Sequence, residues 1–161
     1  FSDTIARNIA FGNSQVDMGM VRHAAVLADV DENISQFQQG YETVLGERGV
    51  TVSGGQKQRI SIARALMKDA PILILDDSVS AVDTKTERAI LDNLKQTRRG
   101  KTTILIAHRI STIEQMDKIL FVEDGRLAGF DTHDKLYAEN PAYRKMVDLQ
   151  RLEEEGGAVN A

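Results

Sequence analysis

The sequence of 161 residues contains no cysteine and no long hydrophobic run. The lack of cysteine excludes disulfide bonds and thiolate metal sites, and it is typical of proteins from a reducing compartment. No segment approaches the roughly 18 to 20 consecutive apolar residues that cross a membrane, and no charged start precedes an apolar signal core. Internal repeats and coiled-coil heptads are also missing. The hydrophobic share of 42% is enough for the core of one domain.

The formal net charge of -4 argues against a nucleic-acid surface, so we expect no nucleic-acid partner. A small basic cluster contains Lys95, Arg98, Arg99 and Lys101. It lies at the end of a predicted helix, where cations suit the helix dipole and the solvent, and we favour this interpretation over a binding patch. The first residue is Phe1 rather than a start methionine, so we expect the chain to be part of a longer protein.

Hydrophobic periodicity predicts helices in the first part of the chain. Apolar residues recur at helical spacing through residues 2–38, and residues 40–49 are typical of a loop rich in glycine and charge. Ser53 is a favourable N-cap for a helix that runs to about Met67. The unbroken apolar run at residues 72–75 then predicts a parallel strand that is buried on both faces.

The rest of the chain alternates further helices and strands, which implies an α/β fold. We predict a helix that starts near Thr84, where Thr84 and Glu87 have capping-box spacing, and that ends at Gly100. The remaining predicted elements are a strand at 103–107, a short helix near 111–115, a hairpin of strands 119–122 and 127–130 around Asp124-Gly125, and a final helix near 141–154.

A Ser-Gly-Gly segment marks the start of the helix that follows the loop. Ser53, Gly54 and Gly55 offer a hydroxyl, unhindered backbone N–H groups and the positive end of the helix dipole, which suit an anion such as a terminal phosphate. Taken alone, the segment is more typical of an ordinary capped turn. Its setting favours the phosphate interpretation, because the helix leads directly into a strand that ends in two carboxylates.

These carboxylates, Asp76 and Asp77, lie at the C-terminal end of the strand, where open α/β sheets bind ligands. We expect Asp76 to hold Mg²⁺, directly or through water, and Asp77 to orient or deprotonate an attacking water. The alternative is a solvated strand end. His108 follows the next strand and is suited to contact a γ-phosphate or position water, the alternative being a structural histidine. His23 and His133 are predicted to be surface residues.

Gly100-Lys101-Thr102 resembles the end of a phosphate-binding P-loop but does not meet its requirements. Lys95 occupies the position of the first glycine. A P-loop also follows a strand and opens a helix, whereas this segment follows a predicted helix and opens a strand. The sequence therefore contains no P-loop.

Four motifs occur in a fixed order along the chain. Val52 to Gln56 is similar to a signature motif, Ile72 to Asp77 to Walker B, Ser80 to Asp83 to a D-loop, and His108 to a switch histidine. In this order and spacing, nearly the whole chain resembles the nucleotide-binding domain of ATP-binding cassette (ABC) transporters, particularly the exporter type.

Two further segments are similar to the exporters. Residues 1–9 resemble the stretch after the Q-loop, and residues 43–49 resemble the X-loop. The resemblance implies a partial RecA-like P-loop NTPase core at residues 69–161, with a parallel sheet and flanking helices. It also implies an N-terminal α-helical subdomain at residues 1–68, in the region that meets the transmembrane coupling helices in this family.

The same resemblance implies a function. Two cassettes would dimerise head to tail around ATP and Mg²⁺ at the cytoplasmic face of the cell membrane, and hydrolysis would drive export through the transmembrane domains of the same transporter. Asp77 and His108 are the expected catalytic residues, and Asp76 is the expected metal ligand. The expected nucleotide-binding residues are Val52, Ser53, Gly54, Gly55, Gln56, Ser80 and Asp83.

The sequence departs from the family pattern in three ways. The P-loop, the adenine-stacking aromatic and the Q-loop glutamine would lie upstream of Phe1, so the chain alone is expected neither to bind nor to hydrolyse ATP well. Asp77 stands where glutamate is usual, which withdraws the carboxylate by roughly 1.5 Å and predicts a degenerate site, typical of one half of a heterodimer. Val52 replaces leucine, and this apolar exchange is expected to pack inward harmlessly.

Two other classes of protein remain as alternatives. Soluble ATPases of chromosome maintenance and DNA repair share the signature and Walker B motifs, but residues 1–9 and 47–49 favour an exporter. A non-enzymatic, regulatory cassette half would explain Asp77 as a sign of lost catalysis. The hydrolytic activity of the intact protein, with and without its partner, separates this last class from an exporter ATPase.

Overall fold

The computed structural model describes residues 2–13, 15–46 and 52–158. The chain forms two compact units, Phe1–Ile106 and Ala107–Ala161. The boundary between these units follows Ile106, and the predicted subdomain boundary after residue 68 stays a prediction. Phe1 and the 47–49 part of the predicted X-loop lie outside the described residues. None of the described helices is both long and apolar enough to cross a membrane.

The first unit begins with short helices and ends with two strands separated by a long helix. Its elements are α1 (Ile5–Ile9), α2 (Met18–Leu27), α3 (Asp31–Ser35), a 3₁₀ turn (Gly40–Glu42), α4 (Gly54–Met67), β1 (Ile72–Asp76), α5 (Thr84–Thr97) and β2 (Thr102–Ile106). Helix α4 contacts both α1 and α2, and α2 contacts α5. Fully buried aliphatic side chains form the core, among them Ile5, Ile9, Val21, Ile34, Ile62 and Ile90.

The helix predicted after Ser53 is confirmed. Ser53 has extended backbone angles and caps α4, which runs from Gly54 to Met67 as expected. Helix α5 also starts at the predicted residue, but its N-cap is Asp83 rather than Thr84. The helix ends at Thr97, three residues before Gly100. The predicted cap was wrong because an aspartate one residue earlier offers a stronger acceptor to the first turn.

Within the described residues, β1 and β2 form a two-stranded parallel sheet, in which Ile74 is paired with Ile104. Leu73 and Leu75 are buried, whereas the alternate side chains Ile72 and Ile74 are 57% and 61% exposed. The prediction that β1 is buried on both faces was therefore wrong for this chain. Alternate side chains point to opposite faces of a strand, and only one face is covered here.

One member of the basic cluster is not solvated as predicted. The Arg98 side chain is 6% exposed. Its Nε donates to Thr103 Oγ1 at 3.1 Å, and its Nη2 donates to the Ala70 carbonyl at 3.0 Å. Lys101 Nζ pairs with Asp69 Oδ1 at 2.5 Å. The two side chains therefore bind the end of α5 to the segment before β1, which is a structural role rather than an interaction with solvent.

The second unit packs three helices on a hairpin. Its elements are α6 (Ile110–Ile113), β3 (Ile119–Glu123), β4 (Arg126–Asp131), α7 (His133–Glu139) and α8 (Pro141–Ala158). The predicted hairpin is confirmed, since Asp124 and Gly125 have φ values of +48° and +73°, as a tight two-residue turn requires. Helix α7 was not predicted. It packs through Leu136 into a core that also contains Ile110, Ile119, Tyr143 and Val147.

His133 is not the surface residue that the sequence suggested. Its side chain is only 13% exposed, and its Nε2 lies 3.6 Å from Glu114 Oε1. Its Nδ1 is 2.9 Å from the hydroxyl of Tyr143, a fully buried residue. The ring also stacks on Tyr137, with the two ring centroids 5.9 Å apart. His133 is thus a structural residue of the second unit, whereas His23 is exposed as predicted.

Candidate functional site

The start of α4 carries a reciprocal cap. The Ser53 hydroxyl oxygen accepts from the Gln56 backbone N–H at 3.2 Å, and Gln56 Oε1 accepts from the Ser53 N–H at 2.9 Å. The N–H groups of Gly54 and Gly55 lie in the first turn, where a helix supplies no backbone acceptor. The Ser53 hydroxyl also keeps its own proton to donate. The capped turn thus still presents donors suited to an anion.

The residue before this cap packs inward. Val52 is 4% exposed, which confirms the expected burial of an apolar side chain at this position. Ser53 and Gly54, by contrast, are exposed. Burial of Val52 therefore anchors the start of α4, while Ser53 and Gly54 remain accessible. The predicted nucleotide-binding role of Val52 stays a prediction.

The two glycines at the start of α4 have different surroundings. A Cβ atom added to Gly54 would lie 3.8 Å from Ala81 Cβ, an ordinary contact. A Cβ added to Gly55 would lie 2.8 Å from the backbone oxygen of Ala81, closer than real Cβ atoms come. Glycine at position 55 is therefore required for the close approach between α4 and the loop that follows β1.

That loop begins at the predicted carboxylates. Asp76 is the last residue of β1, and Asp77 follows in a left-handed conformation with a φ of +48°. Both residues are exposed. The Ser78 hydroxyl donates to the Asp76 carbonyl at 3.1 Å, and the Ser80 hydroxyl donates to the Asp77 carbonyl at 3.1 Å. The turn is thus held through the backbone carbonyls of Asp76 and Asp77, and both residues remain exposed.

The carboxylates fit a magnesium ion that takes its other ligands from a nucleotide. Among the described residues, no three His, Asp or Glu side chains come together as a metal-binding group. An all-protein cage is therefore not formed by this part of the chain. Mg²⁺ is commonly bound through one or two carboxylates together with phosphates and water, and Asp76, the predicted metal ligand, is able to supply one such carboxylate.

Further along the loop, Ser80 and Asp83 both have structural partners. The Ser80 hydroxyl accepts from Gln58 Nε2 at 3.0 Å. The Asp83 carboxylate accepts from the N–H groups of Lys85 at 3.1 Å and Thr86 at 3.0 Å. These hydrogen bonds lower the pKa of Asp83, and the bond from the Thr86 N–H has the largest effect. Both side chains thus hold the loop in place through these hydrogen bonds. Their predicted contacts with nucleotide stay predictions.

Gln58 was missed by the sequence analysis. Its side chain reaches from the second turn of α4 to Asp77, Ser80 and Ala81. These partners lie 19 to 23 residues away in the sequence, so no local pattern distinguishes Gln58 from an ordinary polar residue on a helix. Together, Gly55 and Gln58 join α4 to the carboxylate loop, the segment at residues 77–81 that follows β1.

His108 belongs to the second unit. It is exposed and follows β2, two residues before α6. Its backbone carbonyl accepts from Gln150 Nε2 of α8. The histidine borders a cleft that is also lined by Phe121 and Met146. Of the predicted site residues, the structure gathers those at 52–56 and 76–83 in the first unit and places His108 in the second.

Comparisons with known proteins agree with this architecture. The ABC transporter family model matches residues 3–80. The probable multidrug resistance ABC transporter ATP-binding/permease protein YheI of Bacillus subtilis is 48% identical over 160 residues, 98% of this chain and 27% of that protein. An ATP-dependent lipid A-core flippase of Chromohalobacter salexigens is 48% identical over 155 residues, 96% of this chain and 27% of that protein. The structure of a bacterial Atm1-family ABC exporter with ATP bound superposes with a TM-score of 0.87 and 43% identity, over 93% of this chain and 26% of that one.

The fold is thus that of a nucleotide-binding domain, a mixed α/β structure with a parallel sheet and flanking helices. The predicted fold class is confirmed. Residues 3–80 match the ABC transporter family, and the resemblance of the chain to exporter cassettes is confirmed as well. It spans about a quarter of the length of the curated relatives it matches, 27% in the two cases above.

Proposed function

We propose that the chain is part of the ATP-binding cassette of an exporter, in which ATP binding and hydrolysis in a head-to-tail dimer drive export of a substrate across a membrane. The observation that carries the proposal is the junction in the first unit. There, a helix start with outward N–H groups is joined directly to a strand end with two carboxylates. The similarity of the chain to a probable multidrug resistance transporter and to an ATP-dependent lipid A-core flippase supports the same function.

Each end of this junction has its own role in the proposal. Ser53, Gly54 and Gly55 donate to the terminal phosphate of the nucleotide held by the partner cassette, with the help of the helix dipole. Asp76 holds Mg²⁺ at the nucleotide of its own subunit, directly or through water. When bound, this ion neutralises charge on the phosphates. The partners are a second cassette and the transmembrane domains, and the cassette lies at the cytoplasmic face of the membrane.

Asp77 and His108 complete the site of this subunit. Asp77 accepts a proton from the attacking water or orients it, and His108 contacts the γ-phosphate. Because aspartate is one methylene shorter than glutamate, its carboxylate falls roughly 1.5 Å short. Displacements near 1 Å reduce rates about a hundredfold. The site of this subunit therefore hydrolyses slowly, and the faster site of the dimer is the one completed by Ser53 to Gly55.

The exposed face of the two-stranded sheet fits a cassette core that is larger than this chain. Ile72, Ile74, Ile104 and Ile106 are between 43% and 61% exposed. Their register brings Ile74 beside Ile104, so they form one continuous apolar surface. Parallel sheets are usually covered on both faces. We propose that further elements of the longer protein cover this surface and carry the P-loop that the chain lacks.

The experiment is to measure single-site ATP turnover in the intact transporter that contains this chain. Asp77→Glu should raise hydrolysis at the site of this subunit by about a hundredfold, because it restores the missing reach. Asp92→Glu makes the same chemical change at an exposed position of α5 and should have no effect. An unchanged rate for Asp77→Glu would argue that Asp77 is already competent. Absence of hydrolysis with and without the partner would favour a regulatory cassette instead.

A further inference from the structure

We propose that Gln58 is a positioning residue that couples the two ends of the candidate site. Its side chain fixes the loop from Asp77 to Ala81 to α4, so that the carboxylates and the phosphate-contacting helix start shift as one body. The inference rests on the proposed function, in which Ser53 to Gly55 serve the partner's nucleotide and the carboxylates serve the subunit's own.

The first observation is the set of hydrogen bonds made by the Gln58 amide. Nε2 donates to the Asp77 carbonyl at 3.0 Å and to the Ser80 hydroxyl at 3.0 Å. Oε1 accepts from the Ala81 N–H at 2.9 Å. A glutamine amide has two donor hydrogens and one acceptor oxygen, so every function of the group is used. A reversed amide would place oxygen against oxygen at Asp77 and donor against donor at Ala81, so only this orientation satisfies the loop.

The second observation is the backbone conformation that these bonds hold. Asp77 has a φ of +48°, in the left-handed region that residues with a side chain rarely adopt. Its carbonyl accepts from both Gln58 Nε2 and the Ser80 hydroxyl, at 3.0 Å and 3.1 Å. Such conformations persist only where the surroundings over-determine them. Gln58 thus helps to set the direction in which the Asp77 carboxylate leaves the end of β1.

The third observation is direct packing on the same face of α4. Gly55 precedes Gln58 by three residues, and residues three apart are neighbours on a helix surface. The backbone of the loop approaches so closely at Gly55 that a Cβ there would lie 2.8 Å from the Ala81 oxygen. Val79 and Val82 anchor the loop with exposures of 5% and 6%.

These three contacts leave little freedom between α4 and the loop. A displacement of the helix start by a partner's nucleotide would therefore be carried to Asp77, and the reverse would hold as well. Since sites that shift one shared element are energetically coupled in both directions, Gln58 should make hydrolysis at one site sensitive to occupation of the other.

The test uses Gln58→Met in the intact transporter, because methionine keeps the length of the side chain and removes all three hydrogen bonds. Hydrogen exchange at the Ala81 amide should become about tenfold faster, since a hydrogen bond of ordinary strength is lost. The single-site kcat for ATP at the site of this subunit should fall roughly ten- to a hundredfold, with KM changed by less than about twofold, because the reacting groups are misplaced while binding groups remain.

Two further variants complete the design. Gln58→Glu keeps the acceptor for Ala81 but loses the donors to Asp77, so Ala81 exchange should stay slow while kcat still falls. Gln96→Met makes the same change as the main variant at an exposed position of α5 and should alter neither readout. A general loss of folding would instead alter exchange throughout the first unit.

Unchanged exchange at Ala81 in Gln58→Met would overturn the proposal, and so would an unchanged kcat in the presence of faster exchange. If the unmodified transporter hydrolyses no ATP, that result contradicts the proposed function instead. In that case the exchange measurement still decides whether Gln58 positions the loop, so the two failures are distinguishable.

Discussion

Alanine at two adjacent positions should change stability in opposite directions. Gly54 and Gly55 both lie in the first turn of α4, a helix of 14 residues. At Gly54 an added Cβ would make an ordinary contact of 3.8 Å with Ala81 Cβ. At Gly55 it would lie 2.8 Å from the backbone oxygen of Ala81 and 3.6 Å from Val82 Cγ1. Because the nearest atom at Gly55 is backbone, the loop itself has to move.

The magnitudes follow from two competing effects. Replacing glycine by alanine in a helix stabilises it by about 0.5–1 kcal/mol, with the smaller value expected in the first turn. Forcing extra atoms into a packed site destabilises by about 1–3 kcal/mol. Gly54→Ala experiences only the first effect and should gain up to ~1 kcal/mol. Gly55→Ala experiences both and should lose roughly 0.5–2 kcal/mol.

The assay is urea unfolding of the protein without nucleotide, with unfolding monitored by far-UV circular dichroism. Comparable slopes of the unfolding free energy against urea are required, so that a shift of the midpoint reports stability. Hydrogen exchange across α4 and the loop then localises the effect. Equal midpoints for the two variants would refute the reasoning, because they would mean that the loop gives way at Ala81 without loss.

Two further predictions concern single side chains. Lys118 and other donors lower the pKa of Asp131 to about 2, so its stabilising contribution is present above about pH 4 and is lost as pH falls toward 2. Asp131→Asn should thus lower Tm at pH 7, and the difference from the unmodified protein should shrink between pH 5 and 2; a constant difference would contradict this. Arg64 donates from Nε and Nη2 to the buried Asn8, at 2.6 Å and 2.9 Å. Arg64→Lys should lose about 1–3 kcal/mol in urea unfolding, whereas Arg88→Lys at an exposed position should lose little.

The elements that the sequence predicted well are those determined by neighbouring residues. The cap at Ser53 depends on Gln56, three residues later, and both hydrogen bonds of the cap are present. The turn at Asp124-Gly125 depends on two residues that accept left-handed backbone angles. In each case the deciding interaction is local, so a single sequence contains the information.

The elements that were missed depend on contacts between distant residues. Helix α7 has only seven residues, and its Leu136 packs so closely on β4 that a Cβ at Gly129 would lie 2.7 Å from Leu136 Cδ2. Neither length nor periodicity distinguishes such a short helix from a loop. The exposure of Ile72 and Ile74 also depends on which strands surround β1, and its sequence pattern alone cannot specify that.

The candidate site combines both kinds of information. The strand end at Asp76 and the helix start at Ser53 were predicted from local patterns, but the connection between them was not. Gln58 makes its bonds to residues 19 to 23 positions away, after the chain has passed through β1. A sequence motif therefore predicts which groups are present in a site more readily than it predicts which groups hold one another in place.

The paired glycines show why this distinction matters for function. They are adjacent in one motif, yet Gly54 is exposed while Gly55 faces the Ala81 backbone. A side chain at Gly54 would obstruct the approach of an anion to the helix start and leave the loop in place. A side chain at Gly55 would displace the loop that carries Asp77. Substitutions one residue apart therefore separate the binding of a nucleotide from the positioning of the carboxylate, although both lie within a single Ser-Gly-Gly segment.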